Sequence, residues 1–392
     1  YKDERLTFGA EYLIPKPFDP RLIGVVASSV AEAAMSSGVA TRPLEDLEAY
    51  KARLDGSVFK SALLMRPVFA AAAKAQRKIV FAEGEDERVL RAANAILEEM
   101  TDVPILIGRP DVVTQRCERA GLAIRPGRDF HLVNPENDPR YRDYGENYHQ
   151  VMARRGVTPA LARSLMRTNT TAIAAIMVHR GEVDSMICGT FGQFKWHLNY
   201  VTQLLQAGSH YPVAALSMMI LEKGPLFIAD TQVHQQPTPQ QIAETVLGCA
   251  RHIRRFGIEP RIALCAYSQF GNMDSESGRH MRAALEILDS WKPDFCYEGE
   301  MHVDAALDPQ IRARLLPENR MDGPANALVF ANADAASAVR NVLTMKAGGI
   351  EVGAILMGMC IRSHVVKASM TAGVLVFMAG IAGTTVEEYS YG

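Results

Sequence analysis

From residue 77 onward, short apolar runs ending near Gly, Asp or Ser alternate with stretches of helical period, the mark of a parallel α/β layer. The run 78–82 (KIVFA) reads as its first strand. Residues 86–99 then place Val89, Leu90, Ala93, Ile96 and Leu97 on one helical face, with acidic residues at the start as the helix dipole prefers. Further strands are expected at 105–108, 185–188, 226–230, 261–268, 327–332 and 353–358. Between 238 and 256, Ile242, Val246, Leu247, Ala250 and Ile253 form a second helical stripe, closed by Gly257; the basic run 251–255 reads as its solvated face.

The first 55 residues follow a different pattern. Pro15, Pro17 and Pro20 interrupt any helix, 22–36 reads as an Ala-rich amphipathic helix and 41–54 as a charged one, together a linker or tail. A chain of 392 residues predicts about two to three domains. With 42 Lys and Arg against 44 Asp and Glu, there is no basic footprint for nucleic acid. The six scattered cysteines (117, 188, 249, 265, 296 and 360) have no metal-ligand spacing and read as reduced thiols of a cytoplasmic protein. The uncharged stretch 368–385 is interrupted by Gly, Ser and Thr, and reads as a buried terminal helix with no membrane partner. The chain opens on Tyr1 and reads as part of a longer protein.

No GxGxxG, P-loop or GxSxG string is present, so the candidate sites are loops at strand ends. In 189–196 (GTFGQFKW) two glycines allow close backbone approach to an anion, and Lys195, Trp196 and His197 can meet a phosphate and a ring. In 268–278 (SQFGNMDSESG) Gly271 turns the chain, Asp274 or Ser275 caps the next helix, and exposed amides near Ser268 suit a pyrophosphate. The third loop follows Met357 and Gly358 and contains Arg362, His364 and Lys367. Glu83, Glu85, Asp86 and Glu87 cluster after the first strand, with Arg88 to offset them and no clustered His or Cys to make a metal site.

The strings FGAEYLIPKPFDPRL (8–22) and AAMSSGVATRPLEDLEAY (33–50) resemble the end of the malic domain in large bacterial NADP-dependent malic enzymes. This resemblance implies that the malic site, with its NADP and divalent metal, lies before Tyr1, leaving this chain without malic activity and without a cofactor of its own. The body, about 61–386, is similar to phosphate acetyltransferase. The matching strings, in family order, are FAEGEDERVLRAA (81–93), RRGVTPALARSL (154–165), ADTQVHQQPTPQQIA (229–243), GEMHVDAAL (299–307) and GAILMG (353–358). The implied fold is two α/β lobes with mainly parallel sheets and a cleft between them that binds coenzyme A. Lobe 1 comprises 56–210 plus 355–392, and lobe 2, 211–354, mediates homodimerisation; a higher homo-oligomer is implied for the whole malic enzyme.

The chain departs from the acetyltransferases where their chemistry sits. Their Ser-Arg pair and nearby Asp match Lys367, Ala368 and Val374 here, and two further family arginines fall at Met152 and Asn199. An alanine offers no fork of hydrogen bonds to phosphate, and a valine accepts no thiol proton. The resemblance therefore implies a catalytically inactive module that senses acetyl-CoA and controls a malic enzyme allosterically. The candidate ligand set is Lys195, His197, Ser268, Gly271, Met357, Gly358, Arg362 and Lys367, with no metal. Two alternatives stay open: an active acetyltransferase using Lys367, Lys195, Ser268 or His197 as substitutes, and an architectural dimerisation module.

Overall fold

A computed structural model of the chain describes residues 20–99, 103–206, 212–359 and 363–384. Its contacts divide into two units, Tyr1–Leu64 and Met65–Gly392. The first contains a helix at Pro20–Ser36 and the beginning of a second, Leu47–Ala75. Pro20 starts its helix instead of breaking one, because the first turn has no hydrogen bond for the missing N–H to lose; Pro15 and Pro17 lie outside the described residues. The second helix runs well past the expected residue 54. Its later part keeps an apolar stripe, with Met65, Val68 and Ala72 buried, and continues through Pro67.

In the larger unit the strands are β1 (Ile79–Phe81), β2 (Ile105–Ile107), β3 (His131–Val133), β4 (Ser185–Cys188), β5 (Ala214–Leu221), β6 (Gly224–Ala229), β7 (Arg261–Cys265), β8 (Cys296–Met301), β9 (Ala327–Phe330), β10 (Ile350–Met357) and β11 (Ser363–Val365). They form two sheets. The first, in the order β11-β4-β1-β2-β3, is parallel throughout. The second, in the order β10-β5-β6-β9-β7-β8, is parallel from β6 to β8 and antiparallel at the β10-β5-β6 end. The expected mainly parallel, two-sheet α/β architecture is thus observed.

Helices form for the reasons the sequence offers. Glu87–Glu99 buries Val89, Leu90, Ala93 and Ile96. Pro239–Arg254 opens with a capping box between Thr238 and Gln241 and buries all five residues of its stripe. Its basic end is not a solvated face: Arg255 bonds His252, the Ile381 carbonyl and Thr384, while Arg254 pairs with Asp294 at 3.1 Å. Ile381 and Thr384 come from the chain's last described segment, which sequence proximity could not show. That segment holds the helix Ala372–Gly383, apolar nearly all round and buried, with Phe377 6.1 Å from Phe69. No helix among the described residues is long and apolar enough to cross a membrane. Five of the cysteines are free thiols, four of them buried; Cys360 lies outside the described residues.

Candidate functional site

The carboxyl ends of β1, β4 and β11 converge in the first sheet. Just past β1, Glu83 is 5% exposed and points under the β4 loop. Its Oε2 accepts from the amides of Gly189 (2.9 Å) and Thr190 (3.3 Å) and from the Thr190 hydroxyl (3.4 Å). Its Oε1 has no hydrogen-bond partner and lies 3.8 Å from His197 Nδ1. Burial pushes the carboxyl up to about 7, against the pull of those donors.

His197 is fully buried, and its tautomer follows from its neighbours. Nε2 lies 2.6 Å from the Phe191 carbonyl and so donates to it, leaving Nδ1 to accept from the Thr171 hydroxyl at 2.8 Å. Burial lowers the imidazole below its ordinary value and keeps it neutral. From the side, Arg88 donates to the Thr190 carbonyl (2.6 Å), to the Met370 carbonyl (3.0 Å) and to the Ala368 carbonyl, while pairing with Asp86 at 2.6 Å. One guanidinium thus ties the loops after β4 and β11 together. The other acids of the cluster are paired as well, Glu85 with Arg109 (2.8 Å) and Glu87 with Arg91 (2.7 Å).

The clamp beneath the loop has a pH signature. An acid whose folded value exceeds its unfolded one stabilises the fold fully below the unfolded value and loses that contribution as pH rises through the folded one. For Glu83 the window runs from 4.5 to about 7. The difference amounts to about 3 kcal/mol, at 1.36 kcal/mol per unit. Glu83→Gln cannot ionise, so its stability relative to wild type is expected to rise by about that amount between pH 4.5 and 8. Urea titrations across the range read this directly, and parallel curves for the two proteins would contradict it.

These contacts correct the expectation for His197. It was expected to face a ligand, but both ring nitrogens are committed inside the loop. The outer surface is left to Lys195, which is exposed, to Phe191 (57% exposed) and to Trp196 (44% exposed), edge-on to His197 at 4.7 Å and to Tyr200 at 5.1 Å. That rim suits a flat ring beside an anion.

Ser268 and Gly271 are corrected in the same way. At the carboxyl end of β8, Glu300 is fully buried and accepts from Ser268 Oγ (2.6 Å), Arg282 Nη1 (2.6 Å) and the Gly271 amide (3.3 Å). The Phe270 amide bonds the Glu300 carbonyl at 2.7 Å, and Ser275, as expected, caps the helix Glu276–Trp291. A carboxylate of the chain itself therefore holds the groups expected to receive a pyrophosphate.

The third loop joins the sheets. Lys367, after β11, is ion-paired with Glu351 of β10. Ser217 of β5 donates to the same oxygen at 3.1 Å, and Arg340 Nε of the helix Ala333–Lys346 lies 3.7 Å from it. Burial outweighs the carboxylate and pushes the Lys367 amine down to about 8. Met357 is 2% exposed and packs under Gly248, a core contact; Gly358 turns the chain at φ +73°, and Arg362 lies outside the described residues. Thr171, Ser217, Arg340 and Glu351 were not foreseen. Their one legible signal is a polar or charged residue inside an otherwise apolar run, as with Glu351 in 350–357. A separate cavity of about 880 Å³ opens at the amino-terminal ends of β1 to β3, but its Arg77 and Arg140 are already paired with Asp184 (3.2 Å) and with Asp138 (2.8 Å) and Glu182 (2.9 Å).

Comparison with known proteins agrees with this architecture. The phosphate acetyl/butaryl transferase family matches residues 63–382. A NAD-dependent malic enzyme of Rhizobium meliloti is 47% identical over 97% of this chain and 50% of its own length, and an NADP-dependent malic enzyme of Escherichia coli is 44% identical over 97% and 51%. The phosphate acetyltransferase of Corynebacterium glutamicum is 29% identical over 72% of this chain and 84% of its own length. Among solved structures, a phosphotransacetylase from Streptococcus pyogenes superposes with a TM-score of 0.73 at 24% identity, over 81% of this chain and 98% of the other. The chain spans about half the length of the malic enzymes it matches, and it belongs to the phosphate acetyl/butaryl transferase family, corresponding to the phosphotransacetylase-like part of those enzymes.

Proposed function

We propose that this chain is an acetyl-CoA-binding regulatory module of a malic enzyme and carries out no acetyl transfer itself. The observation that carries the reading is the loop after β11. Where acetyltransferases have a Ser-Arg pair and an Asp, this loop has Lys367, Ala368 and Val374; Lys367 is taken up by Glu351, and Val374 is 7% exposed in an apolar helix. The two positions matching the family's other arginines add no cation, since Met152 is buried among apolar side chains and Asn199 bonds Gln203 at 2.9 Å. A fold with neither phosphate clamp nor general base retains a surface for the thioester and loses the means to turn it over. The higher identity to malic enzymes than to the phosphate acetyltransferase supports the same reading.

A sensitive assay of acetyl phosphate formation from acetyl-CoA and phosphate tests it. No rate above a protein-free control is expected, and a protein-dependent rate would establish an active acetyltransferase instead. Lys195→Ala is expected to weaken acetyl-CoA binding by about 1 to 3 kcal/mol, the scale of a hydrogen bond to a charged group, because Lys195 is exposed whereas Lys367 is held by Glu351. In the whole malic enzyme the same change blunts the acetyl-CoA response and leaves uninhibited malate turnover intact. A homodimer through residues 211–354 belongs to this proposal, and a monomer in light scattering at micromolar concentration would remove that part.

A further inference from the structure

The cavity of about 880 Å³ lies at the amino-terminal ends of β1 to β3, the end of the first sheet opposite the loops that follow β1, β4 and β11. Its volume is that of a small-molecule site. Ile105, Val133, Met177 and Val183, all buried in one apolar core, line its inner wall, and Val103, 41% exposed, carries the apolar lining out to solvent. The charges around it do not cancel. Glu182 Oε2 accepts from Arg140 Nη1 (2.9 Å) and from the Tyr144 hydroxyl (2.6 Å), and its Oε1 from Arg180 Nε (2.7 Å). Asp138 accepts from Arg140 Nε (2.9 Å) and Nη2 (2.8 Å), and Asp184 from Arg77 Nη1 (3.2 Å) and the Lys78 amide (2.9 Å). All three carboxylates are thus engaged. Of the four cations beside them, Arg77, Arg140 and Arg180 supply these pairings, whereas the Lys78 side chain is exposed and its ammonium has no partner among the described residues. Arg77 Nε is buried and also has no acceptor. A buried N–H that has lost its water without finding an acceptor is rare, and here it lines a cavity.

We propose that this cavity binds a monoanionic amphiphile, a carboxylate with an apolar body. The body covers the wall of Ile105, Val133, Met177 and Val183, and the carboxylate supplies the acceptor that Lys78 Nζ and Arg77 Nε lack. Charge selects the class: a cation meets no unpaired carboxylate here, and a polyanion exceeds the single surplus positive charge. The apolar wall selects the body, since a small hydrophilic anion leaves that surface uncovered. The site is separate from the acetyl-CoA surface of the proposed function and stands independently of it.

Titration calorimetry on the whole chain compares octanoate with 1-octanol, which shares its body and lacks its charge. Octanoate is expected to bind saturably and about fivefold more tightly than the alcohol, the upper scale of an exposed ion pair. Lys78→Met is expected to remove that preference. Val103→Glu places a carboxylate at the exposed edge of the lining, cancels the surplus charge and is expected to weaken octanoate at least as much while leaving 1-octanol within twofold. Both residues are exposed, so neither change puts folding at stake, and circular dichroism verifies that the variants keep the wild-type spectrum. Saturating acetyl-CoA is expected to leave octanoate binding unchanged. Absence of saturable octanoate binding, equal affinity for acid and alcohol, or wild-type octanoate affinity in either variant would overturn the proposal. Displacement of octanoate by acetyl-CoA would move it to the effector surface and overturn the proposal as well, whereas a chain that binds octanoate and no acetyl-CoA would remove the effector reading and leave this site standing.

Discussion

Gly189→Ala is expected to destabilise the protein by about 4 kcal/mol, combining backbone strain with a steric clash that cannot relax. Gly189 sits at φ +102°, where a side chain is strained, and a Cβ there would lie 2.5 Å from the Val366 carbonyl oxygen. That carbonyl belongs to the segment following β11, whose Val366 amide bonds the Cys188 carbonyl at 2.7 Å, so neither chain is free to give way. The Gly189 amide is also one of the donors to Glu83. Displacing it therefore loosens the loop bearing Phe191 and, beyond it, Lys195 and Trp196. Chemical denaturation measures the loss, and a change below about 1 kcal/mol, the ordinary scale of a single substitution, would contradict this account of the loop.

The second large effect lies far from that loop. Arg312, in the helix Pro309–Leu315, is 1% exposed and is held by neutral acceptors: the Asn319 side chain at 2.9 Å and the carbonyls of Ala305 (2.9 Å), Ala306 (3.3 Å), Met321 (2.9 Å) and Gly323 (2.6 Å). The guanidinium is the hub on which residues 316–325 fold back to bury Met321 and Ala325. Arg312→Met keeps the bulk and removes every donor, leaving several buried carbonyls unsatisfied. A loss of about 4 kcal/mol is expected from unmet groups worth about 1 to 3 kcal/mol each. Arg312→Lys restores little, since one ammonium with three donors cannot span acceptors placed for a planar fork. Wild-type-like melting of the methionine variant would show that water replaces the guanidinium.

The parts of the fold legible in the sequence are those whose residues are buried on both faces. Ile79–Phe81 and Ala327–Phe330 are continuous apolar runs, Ser185–Cys188 is one after its buried serine, and all three appear as strands where expected. His131–Val133 carries no such signal because, as an edge strand, it buries only its valine. Cys296–Met301 was hidden by two charges: Glu298 and Glu300 are buried, and the donors that make this tolerable, the Arg320 amide and Ser268, come from elsewhere in the chain. Ala214–Leu221 is an apolar run of eight residues that periodicity cannot tell from a buried helix.

The candidate site divides along the same line. Its three loops could be found from glycines and strand ends, but the direction of each side chain could not. Ser268 turns inward to a glutamate 32 residues away, and Glu83 reaches an amide 106 residues away. Such partners exist only once the sheets are assembled. Lys367 was legible as a cation at a strand end, while its neutralisation depends on Glu351, which the β10 ladder brings to it. The surface these loops leave open is therefore narrower than composition implied: Lys195 and Trp196 are exposed, whereas Lys367 is ion-paired with Glu351.

Titration calorimetry of acetyl-CoA into the purified wild-type chain tests the central claim most directly. The account predicts saturable binding, with no acetyl phosphate or free coenzyme A formed in the cell when phosphate is present. A folded, dimeric protein that takes up no acetyl-CoA at any accessible concentration would contradict it and leave the chain an architectural module.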